Sequence, residues 1–257
     1  MTRISNSLMA LAMSVTMLAL SSGNAHASIV GQDYEYRVGG QVMKGYVAHN
    51  SRLEESLGTV IIVHDWDGPN DYEKGRAHQL AALGYTAFAI DVYGRDRQPT
   101  SMRENAARAS ELRGNRELFQ QRLMAALSEV PNIPGGTENI VAMGYCFGGE
   151  AVLEMARAGA DLAGVVSFHG SLGLPEGQSY STATAPVLVL HGSADPVSGM
   201  SEFATLMNDL QAAGVEHNAE IYGGALHSFT VPWSSDYDLK ADRASWQALL
   251  EFLDEKL

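Results

Sequence analysis

The chain has one cysteine, Cys146, set in Gly144-Tyr145-Cys146-Phe147-Gly148-Gly149. Deprotonated, a thiol is a strong nucleophile. The hexapeptide follows the apolar run Asn139-Ile140-Val141-Ala142-Met143 and opens a helical stretch from Phe147 to about Gly159. Strand, tight turn and helix, with a nucleophile at the apex, form the pattern of a nucleophile elbow. The flanking glycines fit a turn that is strained and brings strand and helix close together. The sulfur stands near a helix N-terminus, where backbone N–H groups favour negative charge.

A thiol nucleophile needs a base, and the base needs an orienting carboxylate. Two later loops supply them. The run Val187-Leu188-Val189-Leu190 leads into His191-Gly192-Ser193-Ala194-Asp195-Pro196, and Asn218 to Tyr222 leads into Gly223-Gly224-Ala225-Leu226-His227-Ser228-Phe229. Taken singly, Asp195 reads as a turn carboxylate and His227 as a loop histidine. Three such residues in the order nucleophile, acid, histidine, each after a strand, point instead to a Cys146-Asp195-His227 triad. His64, His169 and His191 also stand near strand ends; the last two precede glycine and are expected to pack around the site. His49, His78 and His217 read as peripheral. His64 with Asp65 and Asp67 lacks the further ligands a metal would need, so no metal is expected.

The elements that must hold these residues alternate. Two strand-like runs within Tyr34 to Ala48 flank Gly39-Gly40 and predict an antiparallel hairpin. Thr59 to Val63 is a continuous apolar and β-branched run, as in a strand covered on both faces. Helix is expected from about Tyr72 to Leu83, strand from Tyr85 to Ile90, and mostly helix from about Ser101 to Val130 with a break at Gly114. After the elbow come strands at Gly164 to Phe168, Val187 to Leu190 and Asn218 to Tyr222, with helices at about Gly199 to Ala213 and Lys240 to Leu257. This order predicts an α/β fold: a mostly parallel sheet with an N-terminal antiparallel hairpin and helices on both faces. The candidate residues then gather beyond the carboxyl ends of the strands.

Residues 1–27 read as a secretory signal peptide. Arg3 is the only charge before Asp33, Leu8 to Leu20 is apolar, and Ala25-His26-Ala27 ends the segment. The apolar run is shorter than the roughly 20 residues a membrane span takes. Residues 28–257 then form one domain, exported to the periplasm or the medium, with no membrane attachment after cleavage. With 17 Lys+Arg against 30 Asp+Glu, the net charge of −13 argues against a nucleic-acid partner. A lone cysteine outside the cytoplasm cannot form an internal disulfide, which leaves burial, an intermolecular bridge or function. The elbow favours function.

Together these segments resemble the dienelactone hydrolase family of the α/β-hydrolase superfamily, over essentially all of the chain from Tyr34. The resemblance rests on His64-Asp65-Trp66-Asp67-Gly68-Pro69-Asn70, on Asp91-Val92-Tyr93-Gly94-Arg95, on Gly144 to Gly149, and on the Asp195 and His227 loops. It implies a cofactor-independent hydrolase of small esters or lactones. Cys146, Asp195 and His227 would be its triad, and the backbone N–H groups of Trp66 and Phe147 its oxyanion donors. It also implies a thiol-activating role for Asp65, where members commonly carry glutamate, and a substrate-carboxylate contact for Arg95. A second arginine, four residues after the catalytic histidine in enzymes acting on dienelactone, is Val231 here. With Trp66, Tyr93, Tyr145, Phe229 and Trp233 expected nearby, a different and less anionic substrate follows. The rival expectation is a non-hydrolytic ligand-binding or thiol-redox protein on the same fold. The oligomeric state is not legible in the sequence.

Overall fold

Two ten-residue strands, β1 (Ile29–Val38) and β2 (Gln41–Asn50), pair antiparallel around Gly39 and Gly40, whose φ angles are 53° and 84°. A side chain at such φ clashes with its own backbone, so glycine suits both corners. The computed structural model of the protein describes residues 29–257, so the signal peptide expected at 1–27 lies outside the described residues. The hairpin is longer than the sequence predicts. Gln32, Asp33, Glu35 and Arg37 put polar groups on a strand at the sheet edge, where the apolar alternation that marks a strand fades.

The remaining elements are β3 (Thr59–Val63), α1 (Asp71–Ala82), β4 (Thr86–Ile90), α2 (Met102–Arg113), α3 (Arg116–Ser128), β5 (Ile140–Tyr145), α4 (Phe147–Arg157), β6 (Gly164–Phe168), β7 (Val187–Gly192), α5 (Met200–Ala213), β8 (His217–Tyr222) and α6 (Leu239–Lys256). The expected helical break falls between α2 and α3, where Gly114 closes one helix and the Asn115 side chain accepts the Leu118 N–H of the next.

The sheet order is β1-β2-β4-β3-β5-β6-β7-β8. β1, β2 and β4 pair antiparallel, and every other neighbour is parallel. Every residue of β3, β4, β5, β6 and β7 is buried, as continuous apolar runs require. The two faces carry separate apolar clusters. One unites Ile61, Val63, Phe88, Phe119, Phe147 and Leu153; the other unites Val60, Ile62, Leu80, Tyr145, Leu249 and Leu253. The chain crosses from β3 out to β4 and returns to β5 on the other side of β3. Outside the carboxyl ends of β3 and β5 lies the crevice where such sheets place ligands. No helix among the described residues is long and apolar enough to cross a membrane.

Candidate active site

Cys146 stands between β5 and α4 with φ 52° and ψ −109°, a conformation that costs a non-glycine residue on the order of 1–3 kcal/mol. The surrounding contacts enforce it. A Cβ on Gly144 would lie 2.1 Å from the Gly148 carbonyl oxygen, and one on Gly148 would lie 2.1 Å from the Val63 carbonyl oxygen. The elbow is thus pressed against β5 on one side and β3 on the other. α4 is buried along its whole length, so the turn has no room to relax.

The thiol meets the expected partners. Cys146 Sγ lies 2.9 Å from His227 Nε2, and His227 Nδ1 lies 2.8 Å from Asp195 Oδ2. The other carboxylate oxygen, Oδ1, accepts the N–H groups of Val197 at 2.8 Å and Ser198 at 3.1 Å. Burial works against ionising Asp195, but its bonds to His227, Ser198 and Val197 outweigh burial and hold the carboxyl below its usual range. An ionised Asp195 requires a proton on Nδ1, so Nε2 is the nitrogen that faces the sulfur. Among the described residues, His227 and Asp195 are both buried.

Asp65 reaches the same sulfur from the β3 end. Its Oδ1 accepts the Trp66 N–H, and its carboxyl is within hydrogen-bonding reach of the thiol. Burial, with the nearby charge of Asp67, pushes the Asp65 carboxyl up to about 6 against the pull of the Trp66 N–H. Burial, then the Asp65 charge, pushes the Cys146 thiol well above its usual range, while the Phe147 N–H and Arg113 pull it down. Of the two N–H groups expected to hold an oxyanion, that of Trp66 therefore already has a partner, Asp65.

His64 serves this loop from within. Its Nδ1 donates to the Asp65 carbonyl oxygen and its Nε2 accepts the Val92 N–H at 3.3 Å, so neither nitrogen is available to a metal. Glu73, in the first turn of α1, accepts the Asn70 N–H at 2.9 Å and the Asp65 N–H at 3.4 Å. Burial pushes its carboxyl up to about 8. In the same turn Tyr72 donates to Thr230 Oγ1 at 2.8 Å, and Arg76, one turn on and paired with Asp242, reaches Tyr72 Oη at 3.2 Å. Helix α1 thus ties the Asp65 loop to the His227 loop.

Thr230 passes this connection to the base. Its Oγ1 lies 2.8 Å from Nε2 of the buried His169, whose ring packs edge-on to His227 at 5.5 Å. Burial holds His169 well below its usual range, so it stays neutral beside His227. Thr230→Val leaves the buried His169 Nε2 without its partner, at a cost of about 1–3 kcal/mol, while Tyr72 keeps the Thr230 carbonyl oxygen and Arg76. We expect a lower melting temperature and a roughly 10-fold fall in kcat from a displaced His227, with Thr230→Ser recovering most of both. Thermal melts and steady-state hydrolysis check this.

Arg95 stays apart from the thiol. Its half-exposed guanidinium pairs with Glu35 at 3.2 Å and Asp96 at 3.0 Å, because Gly94 turns the chain toward the hairpin. A cation beside Phe147 is one the sequence did not single out. Arg113, at the end of α2, stacks over Phe147 with Cζ 5.7 Å from the ring centre, and its Nε donates to Glu150 at 2.7 Å. No motif marks Arg113 or Thr230; the sole hint for Thr230 is its place in the loop after His227. Of the expected pocket aromatics, Tyr93, Tyr145 and Phe229 are fully buried, and Tyr93 donates to the Trp66 carbonyl oxygen at 3.0 Å. Trp66 and Trp233 are the ones that reach solvent.

Known proteins share this arrangement of elements. The family model described as "Dienelactone hydrolase family" matches residues 43–257. A "Putative carboxymethylenebutenolidase" of Escherichia coli is 26% identical over 226 residues, covering 83% of this chain and 82% of its own length. A Bradyrhizobium protein named "Probable 2-oxo-3-(5-oxofuran-2-ylidene)propanoate lactonase" is 27% identical over 207 residues, covering 77% of this chain and 83% of its own. Among solved structures, a dienelactone hydrolase-like promiscuous phosphotriesterase from metagenomic libraries superposes with a TM-score of 0.83 at 29% identity, over 89% of this chain and 98% of that one. The match runs from β2 through the elbow and both partner loops to the end of α6, so the chain is an ester- or lactone-bond hydrolase of the dienelactone hydrolase family.

Proposed function

We propose that the protein cleaves small esters and lactones by thiol catalysis, through an acyl-enzyme on Cys146. The observation that carries this reading is the unbroken chain from Asp195 Oδ2 through His227 to Cys146 Sγ, at 2.8 and 2.9 Å. His227 Nε2 takes the thiol proton as the sulfur attacks the carbonyl carbon. The oxyanion is met by the N–H groups of Phe147 and Trp66, each such donor worth about 3 kcal/mol of transition-state stabilisation. Collapse breaks the bond to the alcohol oxygen, which receives the proton from His227. Water, deprotonated by His227, then attacks the thioester and releases the acid and the thiol. In a lactone, acid and alcohol leave as one molecule.

The incoming carbonyl oxygen must displace Asp65 from the Trp66 N–H. The raised carboxyl of Asp65 suits a group that gives up one hydrogen bond and remains beside the thiol. The thiol's own high pKa weighs against the redox alternative, since oxidation follows thiolate character. Asp65→Asn removes the nearest negative charge and lowers the thiol pKa. Alkylation of Cys146 by iodoacetamide at pH 7 should rise several-fold, with the pH profile displaced toward acid. An unchanged profile would separate Asp65 from the thiol.

Export belongs to the same proposal, supported by the Leu8–Leu20 run and Ala25-His26-Ala27. A mature N-terminus at Ser28 in the exported fraction is the expected result. The reading as a whole is tested on 4-nitrophenyl butyrate and simple γ- and δ-lactones. Saturable turnover that Asp195→Asn cuts by about 10⁴-fold supports it; no turnover of any of them rejects it.

A further inference from the structure

Beside the loop that carries Trp66 lies a cleft of about 550 Å³, bordered by Asp67, Asn70, Pro99, Met102, Asn105 and Trp233. The hollow is wide open to solvent, so it can receive a protruding part of a ligand rather than enclose one. Two of its walls are large apolar side chains left open to water: Trp233 is 67% exposed and Met102 74%. Scattered exposed apolar residues mean little. These two come from different elements, the His227 loop and the start of α2, and border one space with Asp67, the residue after the expected oxyanion donor Trp66. Trp233 is held by the edge of Tyr72, ring centres 5.8 Å apart and planes at 90°.

The cleft's charge is one-sided. Asp67 is exposed, and its Oδ2 accepts a hydrogen bond from Asn70 Nδ2 at 3.1 Å. No lysine, arginine or histidine lines the space. The cations around it are turned to other partners: Arg97 and Arg108 to Glu111, Arg113 to Glu150, and Arg95 to Glu35 and Asp96. Arg103, next to Met102, is exposed and does not line the cleft. An aromatic face and a carboxylate bordering one space of mixed polar and apolar lining favour a positive charge over a negative one.

From this we infer that the cleft receives the part of the substrate not under attack, and that it selects an ammonium-bearing group, with Asp67 and Trp233 as the specificity-determining residues. This rests on the thiol-esterase reading above and deepens it. A carboxylate-bearing substrate would meet Asp67 with no facing cation to offset it.

The test uses three butyrate esters of similar size: of choline, of its neutral isostere 3,3-dimethylbutanol, and of 4-hydroxybutanoate, with 4-nitrophenyl butyrate as reference. At low ionic strength, kcat/KM for butyrylcholine should exceed that of the neutral ester about 10-fold and that of the anionic ester about 100-fold. The spread should shrink in 0.5 M salt. Asp67→Asn should cut the choline-to-neutral ratio about 5-fold, chiefly through KM, and Trp233→Ala should cut it similarly. Cleavage of 4-nitrophenyl butyrate without a preference for butyrylcholine, or a preference that survives Asp67→Asn intact, overturns this inference alone. Cleavage of none of the four overturns it together with the reading it rests on.

Discussion

Cys146→Ala lowers kcat on 4-nitrophenyl butyrate by on the order of 10⁴–10⁶-fold while the protein stays folded. The expectation follows from where the sulfur sits. On the proposed mechanism it forms the covalent intermediate, and His227 and Asp195 act through it. Once it is gone, the oxyanion donors and substrate positioning leave a small residue of activity. The alanine side chain is part of the cysteine side chain, so it adds no clash at the strained turn. The single-turn loss amounts to about 5–8 kcal/mol of transition-state stabilisation. Steady-state rates, read beside circular dichroism and a melt, check both halves. Activity within 10-fold of wild type would require a different nucleophile.

Gly148→Ala should abolish the site by a different route. The added Cβ meets the Val63 carbonyl oxygen at 2.1 Å and that of His64 at 2.7 Å. These are backbone atoms at the end of β3, which is hydrogen-bonded on both sides to β4 and β5 and cannot retreat. Helix α4 must move instead, taking Cys146 and the Phe147 N–H out of line. Overpacking against fixed backbone belongs to the most damaging class of substitutions, about 4 kcal/mol or more. A fall in melting temperature of about 10 °C or more, or loss of soluble protein, is the expected result. Gly75→Ala is the control. It lies within α1 with nothing inside 4 Å of its added Cβ, so it should be neutral or slightly stabilising. Equal damage from both would show that the elbow contact has no special weight.

Why some parts were legible in the sequence and others were not follows from the physics of each. Strands covered on both faces must be apolar throughout, so Thr59–Val63 and Val187–Leu190 announced themselves. Helix ends showed where a glycine or a capping side chain closes them, as at Gly114 and Asn115. The polar edge strand β1 was read short, because half its side chains face water. His191 and Gly192, expected in a loop, complete β7, since the parallel ladder with β8 carries on to Tyr222. The residues around Cys146 came together because chain order and strand ends constrain them. Side-chain direction was not so constrained. Arg95 follows the expected strand yet turns to Glu35, and Tyr145 adjoins the nucleophile yet packs beneath it. The bridge from α1 through Tyr72 and Thr230 to His169 joins residues far apart in the chain, and no local pattern marks it. Nor does spacing say that Asp65 would occupy the Trp66 N–H; that takes the closed loop between β3 and α1.

Intact-mass analysis of the protein mixed rapidly with 4-nitrophenyl butyrate tests the thiol acyl-enzyme most directly. Within the burst of nitrophenol, a fraction of the wild-type protein should gain the mass of one butyryl group, mapped by peptide digestion to Cys146 and released at the steady-state rate. The adduct should be missing from Cys146→Ala. Full turnover with no adduct, or an adduct mapped to another residue that decays at the turnover rate, would contradict the account.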